Sequence, residues 1–186
     1  MNPIDAFLAL LRLWRDRGAV TFDEDEVGAP HAAVSVFDLD AFGRVAGELR
    51  TRAAVVTQTL ARLETVGPDV PLSWTGAAAT ALAGASGRLA VDLAPAAQEL
   101  ARHARTMSAA HEILGEVVED YRTTMAQATD PLAVGIDVPQ ARDQLRARLD
   151  LAAAAGHAAS AAVDDGLAVL HQAWRSPGEL ILAGDR

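Results

Sequence analysis

The chain has 186 residues, enough for one ordinary domain with a real core, and 51% of them are hydrophobic while only 4% are aromatic. A formal charge of −9 opposes broad attraction to nucleic acid or to an anionic membrane surface, so neither is an expected partner. The absence of cysteine excludes disulfides, thiolate metal sites and cysteine nucleophiles.

The apolar content is mostly Ala, Leu and Val, with few of the aromatic and β-branched residues that favour strands, and this predicts an all-α fold. All 16 basic residues are Arg, a bias of the kind imposed by GC-rich genomes such as those of actinobacteria, and it implies no mechanism. The first residues hold an early acid, Asp5, lack a basic leading region and have Arg12 interrupting the apolar run, so no Sec signal peptide is expected. No stretch approaches the roughly 20 uninterrupted apolar residues that a membrane span requires.

Residues 3 to 16 set Ile4, Phe7, Leu8, Leu11 and Trp14 at helical spacing, a short amphipathic helix for which Gly18 supplies a C-cap. From Ala19 to Val36 the periodicity fails. This reads as an acidic loop, with a short extended piece at most and a turn at Gly28 to His31. Asp38 to Val66 then places Phe42, Ala46, Leu49, Ala53, Val56, Leu60 and Leu63 in alternating steps of four and three, an apolar heptad seam. Asp38 can cap that helix, and Gly67-Pro68 is expected to stop it.

After a linker from Gly67 to Ser73 comes Trp74-Thr75-Gly76, and a second long helical pattern runs from there to about Gln127. Its seam is read as Leu82, Ser86, Leu89 and Leu93, then Leu100, Ala104, Met107, His111, Leu114, Val118, Tyr121 and Met125, with a kink or break at Pro95. Two long helices joined by a short turn make a helical hairpin. Asp137, with Gln140 three residues on, resembles a capping box opening a third long helix. That helix carries Leu145, Leu149, Ala152, Gly156, Ala159, Val163, Leu167, Leu170 and Trp174 and ends at Pro177-Gly178. The bulk-free stretch from Ala152 to Ala162 either admits a close neighbour or is helix filler.

The expected architecture is an elongated helical bundle: an N-terminal helix and acidic loop over 1–36, a hairpin over 37–128, a third helix over 129–176 packed on the hairpin, and a tail over 177–186.

Trp74-Thr75-Gly76 at the bend between two long helices resembles the signature turn of the WXG family, small helical-hairpin proteins associated with type VII secretion. The resemblance covers residues 38 to 127 and rests on three positions, one of them a wildcard, in the right helical context. It implies a protein-interaction module: a secretion substrate, substrate domain or accessory partner, exported by a non-Sec route or held in the cytoplasm before export. The implied partners are a WXG-like or other helical secretion protein, a chaperone or a secretion ATPase, with monomer and dimer both open. Trp74, Gly76 and Tyr121 are the partner-binding residues it points to. The family's export signal, a Tyr followed four residues later by an acid, is not matched, because Met125 stands four residues after Tyr121. Export on a partner's signal, a signal outside this sequence, or no export of this chain are the three options left.

No cofactor or metal is expected. His103, His111 and His157 lack the spacing of a helical zinc site, and Asp23 to Glu26 lack the central Gly and terminal Glu of a calcium loop. No phosphate-binding loop, nucleophile elbow or convergent acid/base pair can be named, so an enzyme is not expected. The rival function is a cytoplasmic regulatory or ligand-binding bundle, holding a small apolar molecule near Pro95 and His111.

Overall fold

Six α-helices and one 3-10 turn make up most of the described residues, 2–175, of the computed structural model, in which 67–73 are described by their backbone alone. No strand occurs among the described residues, and the fold is an all-α helical bundle. The helix stop expected at Pro177-Gly178 and the tail over 177–186 lie outside those residues.

Helix α1, Pro3–Arg15, begins where Asn2 accepts a hydrogen bond from the Ile4 amide at 3.4 Å and Pro3 occupies the first turn. It ends at Arg15 with Asp16, not the expected Gly18, as its C-cap, and the chain reverses two residues later at Gly18. There the backbone turns to φ +74°, a left-handed conformation that Gly adopts without a Cβ clash, and the Ala19 amide reaches back to the Trp14 carbonyl at 3.0 Å. Of the stripe read from spacing, Ile4, Phe7, Leu11 and Trp14 are buried and Leu8 is partly so.

The loop expected over 19–36 is largely helical instead. It holds α2, Glu24–Gly28, a 3-10 turn over Ala29–His31, and α3, Ala32–Val36. The acids that hid the pattern are what start it. The Asp23 carboxylate accepts from the amides of Asp25, at 2.8 Å, and Glu26, at 3.3 Å, and the following acids sit at the positive end of the new helix. Glu24 pairs with Arg12, whose Nε donates at 2.9 Å, and lies 3.7 Å from Arg15. The Arg12 hydrogen bond holds the Glu24 carboxyl below its ordinary range.

Helix α4, Leu39–Ser73, does not stop at Gly67-Pro68 but runs to the residue before Trp74. A proline removes one donor and crowds the preceding turn without forcing the chain out of helix, so the break waits for the next residue that changes φ. Helix α5, Ala77–Thr129, likewise passes through Pro95 as one helix, so of the kink or break expected there no break occurs. Helix α6, Val138–Arg175, opens on the expected cap, with the Gln140 amide donating to the Asp137 carboxylate at 2.8 Å. Arg148 of α6 donates to the carbonyls of Ala128 and Asp130, satisfying acceptors at the end of α5.

The residues gather into two compact units, each drawn from separate stretches of the chain. Unit 1 comprises the described residues of Met1–Leu39 and Glu112–Ala168, and unit 2 those of Asp40–His111 and Val169–Arg186. Unit 1 has a mixed core in which Phe7, Leu11, Trp14, Tyr121, Met125 and Leu145 pack with Ala128, Ala141, Ala152 and Ala159. In unit 2 the buried residues are mostly small: Ala46, Ala53, Ala79, Ser86, Ala90, Ala97 and Ala104, with Met107 and Leu170 the large ones. The two units also differ in charge. The excess of carboxylates belongs to unit 1, whereas between residues 40 and 111 arginines and carboxylates nearly cancel.

Gly156 of α6 shows what its bulk-free stretch is for. A Cβ there would meet the His31 ring at 2.7 Å, and that ring is itself buried. Gly156→Ala is expected to destabilise unit 1 by about 1–3 kcal/mol despite the better helix propensity of Ala. Gly47→Ala on α4, where no heavy atom stands within 4 Å of the new methyl, should be neutral or stabilising by up to about 1 kcal/mol. Urea unfolding of both variants checks this, and equal behaviour would mean that the His31 ring yields freely.

Candidate protein-interaction surface

In unit 2, α4 and α5 run antiparallel on either side of the Trp74-Thr75-Gly76 turn. Phe42 near the start of α4 stacks on His111 with ring centroids 6.2 Å apart, while Leu63 and Glu64 share a cleft with Gly87, Ala90 and Val91. The bend depends on Gly76, whose φ of +111° is a conformation that a side chain would strain. Its carbonyl accepts the first helical bond of α5 from the Thr80 amide at 3.2 Å, and the Thr80 hydroxyl adds a second at 3.3 Å. Trp74 is 50% exposed at this turn.

The α5 seam in unit 2 follows the one read in the sequence at Ser86, Ala104 and Met107, which are buried, and departs from it at the leucines. Ala79, Ser86, Ala90 and Ala97 are buried, and Leu82, Leu89 and Leu93, expected in the seam, stand along one edge of it, each more than a third exposed. Small side chains suit close helix approach, and the leucines are displaced to the flank. The α4 seam holds its register, with Ala46 and Ala53 buried and Phe42, Leu49, Val56, Leu60 and Leu63 partly so. Beside it runs a second stripe in alternating steps of four and three, Ala41, Val45, Glu48, Arg52, Val55, Thr59, Arg62 and Val66, whose three valines are exposed. Leu82, Leu89 and Leu93, exposed at heptad spacing along one helix, are an arrangement a partner helix can cover, whereas the α4 valines are interleaved with Glu48, Arg52 and Arg62.

Tyr121 belongs elsewhere. It lies in unit 1, 4% exposed, with its hydroxyl 3.0 Å from His31 Nδ1, so its phenol is a core group and not part of the accessible surface that holds Trp74. Burial raises its pKa above the ordinary 10.0. His31 had no motif or periodic position to single it out in the sequence. The other histidines have separate surroundings. His103 pairs with Glu99 at 3.0 Å and meets Trp174 edge-on at 6.2 Å, His111 stacks on Phe42, and His157 is exposed. Arg102 lowers the Glu99 carboxyl pKa and also donates to the Ala173 carbonyl at 3.2 Å, fastening α6 to α5 in unit 2.

Among the described residues no group of three or more His, Asp or Glu side chains is gathered as a metal site would need, and no helix is long and apolar enough to cross a membrane. A cleft of about 440 Å³ lies at Pro95, lined by Leu63, Glu64, Val91, Ala94 and Gln98 among others, and His111 does not line it. No protein-family model matches the chain, and neither a curated protein nor a solved structure matches it.

Trp74→Ala should cost about 2 kcal/mol, short of the roughly 3–5 kcal/mol lost when a fully buried Trp is truncated, because half of the side chain is already in water. Tyr121→Phe should cost about 1–3 kcal/mol by leaving His31 Nδ1 buried without a partner. Denaturant midpoints of the two variants test both values, and a loss of about 3–5 kcal/mol for Trp74→Ala would make that side chain a plug of its own unit.

Proposed function

We propose that the chain is a non-catalytic protein-interaction module of WXG type, acting in type VII secretion as a substrate, substrate domain or accessory partner. The observation that carries this reading is a half-exposed Trp74 at a hairpin bend that only Gly76 makes unstrained. A large, rigid aromatic with an indole N–H serves recognition well, since it loses little conformational entropy on binding and buries a large area. The partner is a helical protein that covers Trp74 and the flanking row of Leu82, Leu89 and Leu93. Completing the burial of each leucine would contribute roughly 1 kcal/mol. The near balance of charge between residues 40 and 111 supports such docking, because a helical partner meets no strong field of one sign there. In this reading the chain leaves by a non-Sec route or waits in the cytoplasm for its partner.

The cleft at Pro95 favours a second reading, a helical bundle that binds a small apolar ligand. Affinity capture from the native organism with wild type and Trp74→Ala in parallel separates the two. Under the interaction reading, wild type retains a small helical-hairpin protein, a secretion chaperone or a secretion ATPase, and the variant loses it. Equal recovery with both baits, together with thermal stabilisation of both by an apolar compound, would replace that reading with the second.

A further inference from the structure

In unit 1, α2, the 3-10 turn and α3 form one continuous segment, residues 24–36. His31 is its deepest group, 1% exposed, although segments with this much charge usually keep their polar side chains in water. The ring lies against the backbone of α6 at Gly156 and is tilted at 52° to Tyr121 of α5, with centroids 5.7 Å apart. Nδ1 is 3.0 Å from the Tyr121 hydroxyl, and Nε2 is buried with no hydrogen-bond partner. Either neutral tautomer is tolerated at Nδ1, because a phenol both donates and accepts. The imidazolium is a different case. Its Nδ1–H can still donate to the phenol, but the Nε2–H would carry positive charge into a position that offers no acceptor.

The attachments around the ring are few and polar. The Ser160 hydroxyl of α6 donates to the Pro30 carbonyl at 2.8 Å and accepts from the Val34 amide at 3.3 Å, buckling the segment on both sides of His31. Val34 is buried beside it, and Val27 and Phe37 are partly so. We propose that residues 24–36 form an acid-released strap: uptake of one proton by His31 expels the ring from its seat on Gly156 and frees the strap from α5 and α6, uncovering Gly156, Ser160 and Tyr121 as a face that is closed at neutral pH.

The charged and titratable groups around the ring do not supply a partner for the imidazolium. On α6, His157 is next to Gly156, and its positive form adds to the effect of burial in lowering the His31 pKa below 6.5. Asp150 of α6 and Asp23 and Glu26 of the loop and strap line a cleft with Pro30 and His157, and none is bonded to His31 Nε2. On α5 the facing group is Tyr121, and Asp5 of α1 acts on that phenol. The folded pKa of His31 being depressed, the closed strap binds fewer protons than the open one. Its closure is therefore complete above about pH 6.5 and weakens as pH falls below that value, by up to tenfold in the opening equilibrium per pH unit.

Hydrogen exchange of the full chain, read by mass spectrometry at pH 7.5, 6.5, 5.5 and 4.5 and corrected for intrinsic rates, tests this. Opening of residues 24–36 should rise up to tenfold per pH unit below about 6.5 while peptides of α4 keep their neutral protection. His31→Gln, which can still hydrogen-bond Tyr121 but does not titrate here, should abolish the rise, and His157→Gln should retain it. A flat strap profile, the same slope in His31→Gln, or simultaneous opening of the strap and α4 would each overturn the proposal. Should the strap of His31→Gln be open at every pH, NMR titration of the wild-type His31 ring decides: protonation well below 6.5, in step with strap opening, supports it, and protonation at or above 6.5 refutes it.

Discussion

Close approach across small side chains is the constraint on which this molecule depends. Three long helices present seams in which alanine and glycine recur, and such seams contribute little apolar area per residue when they close. What a seam of alanines offers is proximity, so bulk has to come from elsewhere if a core is to be filled. In unit 1 it comes from α1, which adds Phe7, Leu11 and Trp14 to Tyr121, Met125 and Leu145. In unit 2 few large side chains are buried, and the leucines that could have filled a core stand at the edge of the seam. The same composition thus yields one unit with an interior of its own and another with apolar surface left to share.

This difference explains why some elements are legible in sequence and others are not. The stripe of α1 is written in large residues, and Ile4, Phe7, Leu11 and Trp14 can face only one way. The α6 cap is local chemistry, an Asp three residues before the amide it accepts from, and needs no tertiary information. On α5, by contrast, alanines and leucines both recur at heptad spacing a few positions apart, and only the depth of approach decides which row goes inside. A reading that ranks positions by hydrophobicity puts Leu82, Leu89 and Leu93 in the seam, and close packing of alanines puts them at its edge. The helices over 24–36 were hidden for a related reason, since their start is made of acids and their length is too short for a period to show.

Prolines mislead in the other direction. Gly67-Pro68 looks like a stop and Pro95 like a kink or break, yet α4 and α5 continue through them, and the break falls at Trp74-Thr75-Gly76 instead. A lost hydrogen bond is a local cost that a long helix absorbs, whereas a left-handed φ redirects the chain. The glycine of the motif is therefore the element that makes the hairpin. His31 is the converse case, a residue with no pattern around it whose importance arises only when Gly156, over a hundred positions away, leaves room for a ring.

An exposed Trp beside a bend that only glycine leaves unstrained is the feature that the proposed partner would explain. A turn between two helices could be built from small polar residues, which would leave no apolar surface in water and would not need an indole to close it. Half of the Trp74 surface remains solvated, so the residue contributes little to its own unit for its size, and exposing it carries a standing risk of aggregation. The row of half-exposed leucines on the helix that follows extends the same liability along α5. A liability spread over both a bend and the helix leaving it is accounted for if one partner covers the two together, which is why the hairpin's surface, and not a cavity within it, is the better place to look for this protein's activity.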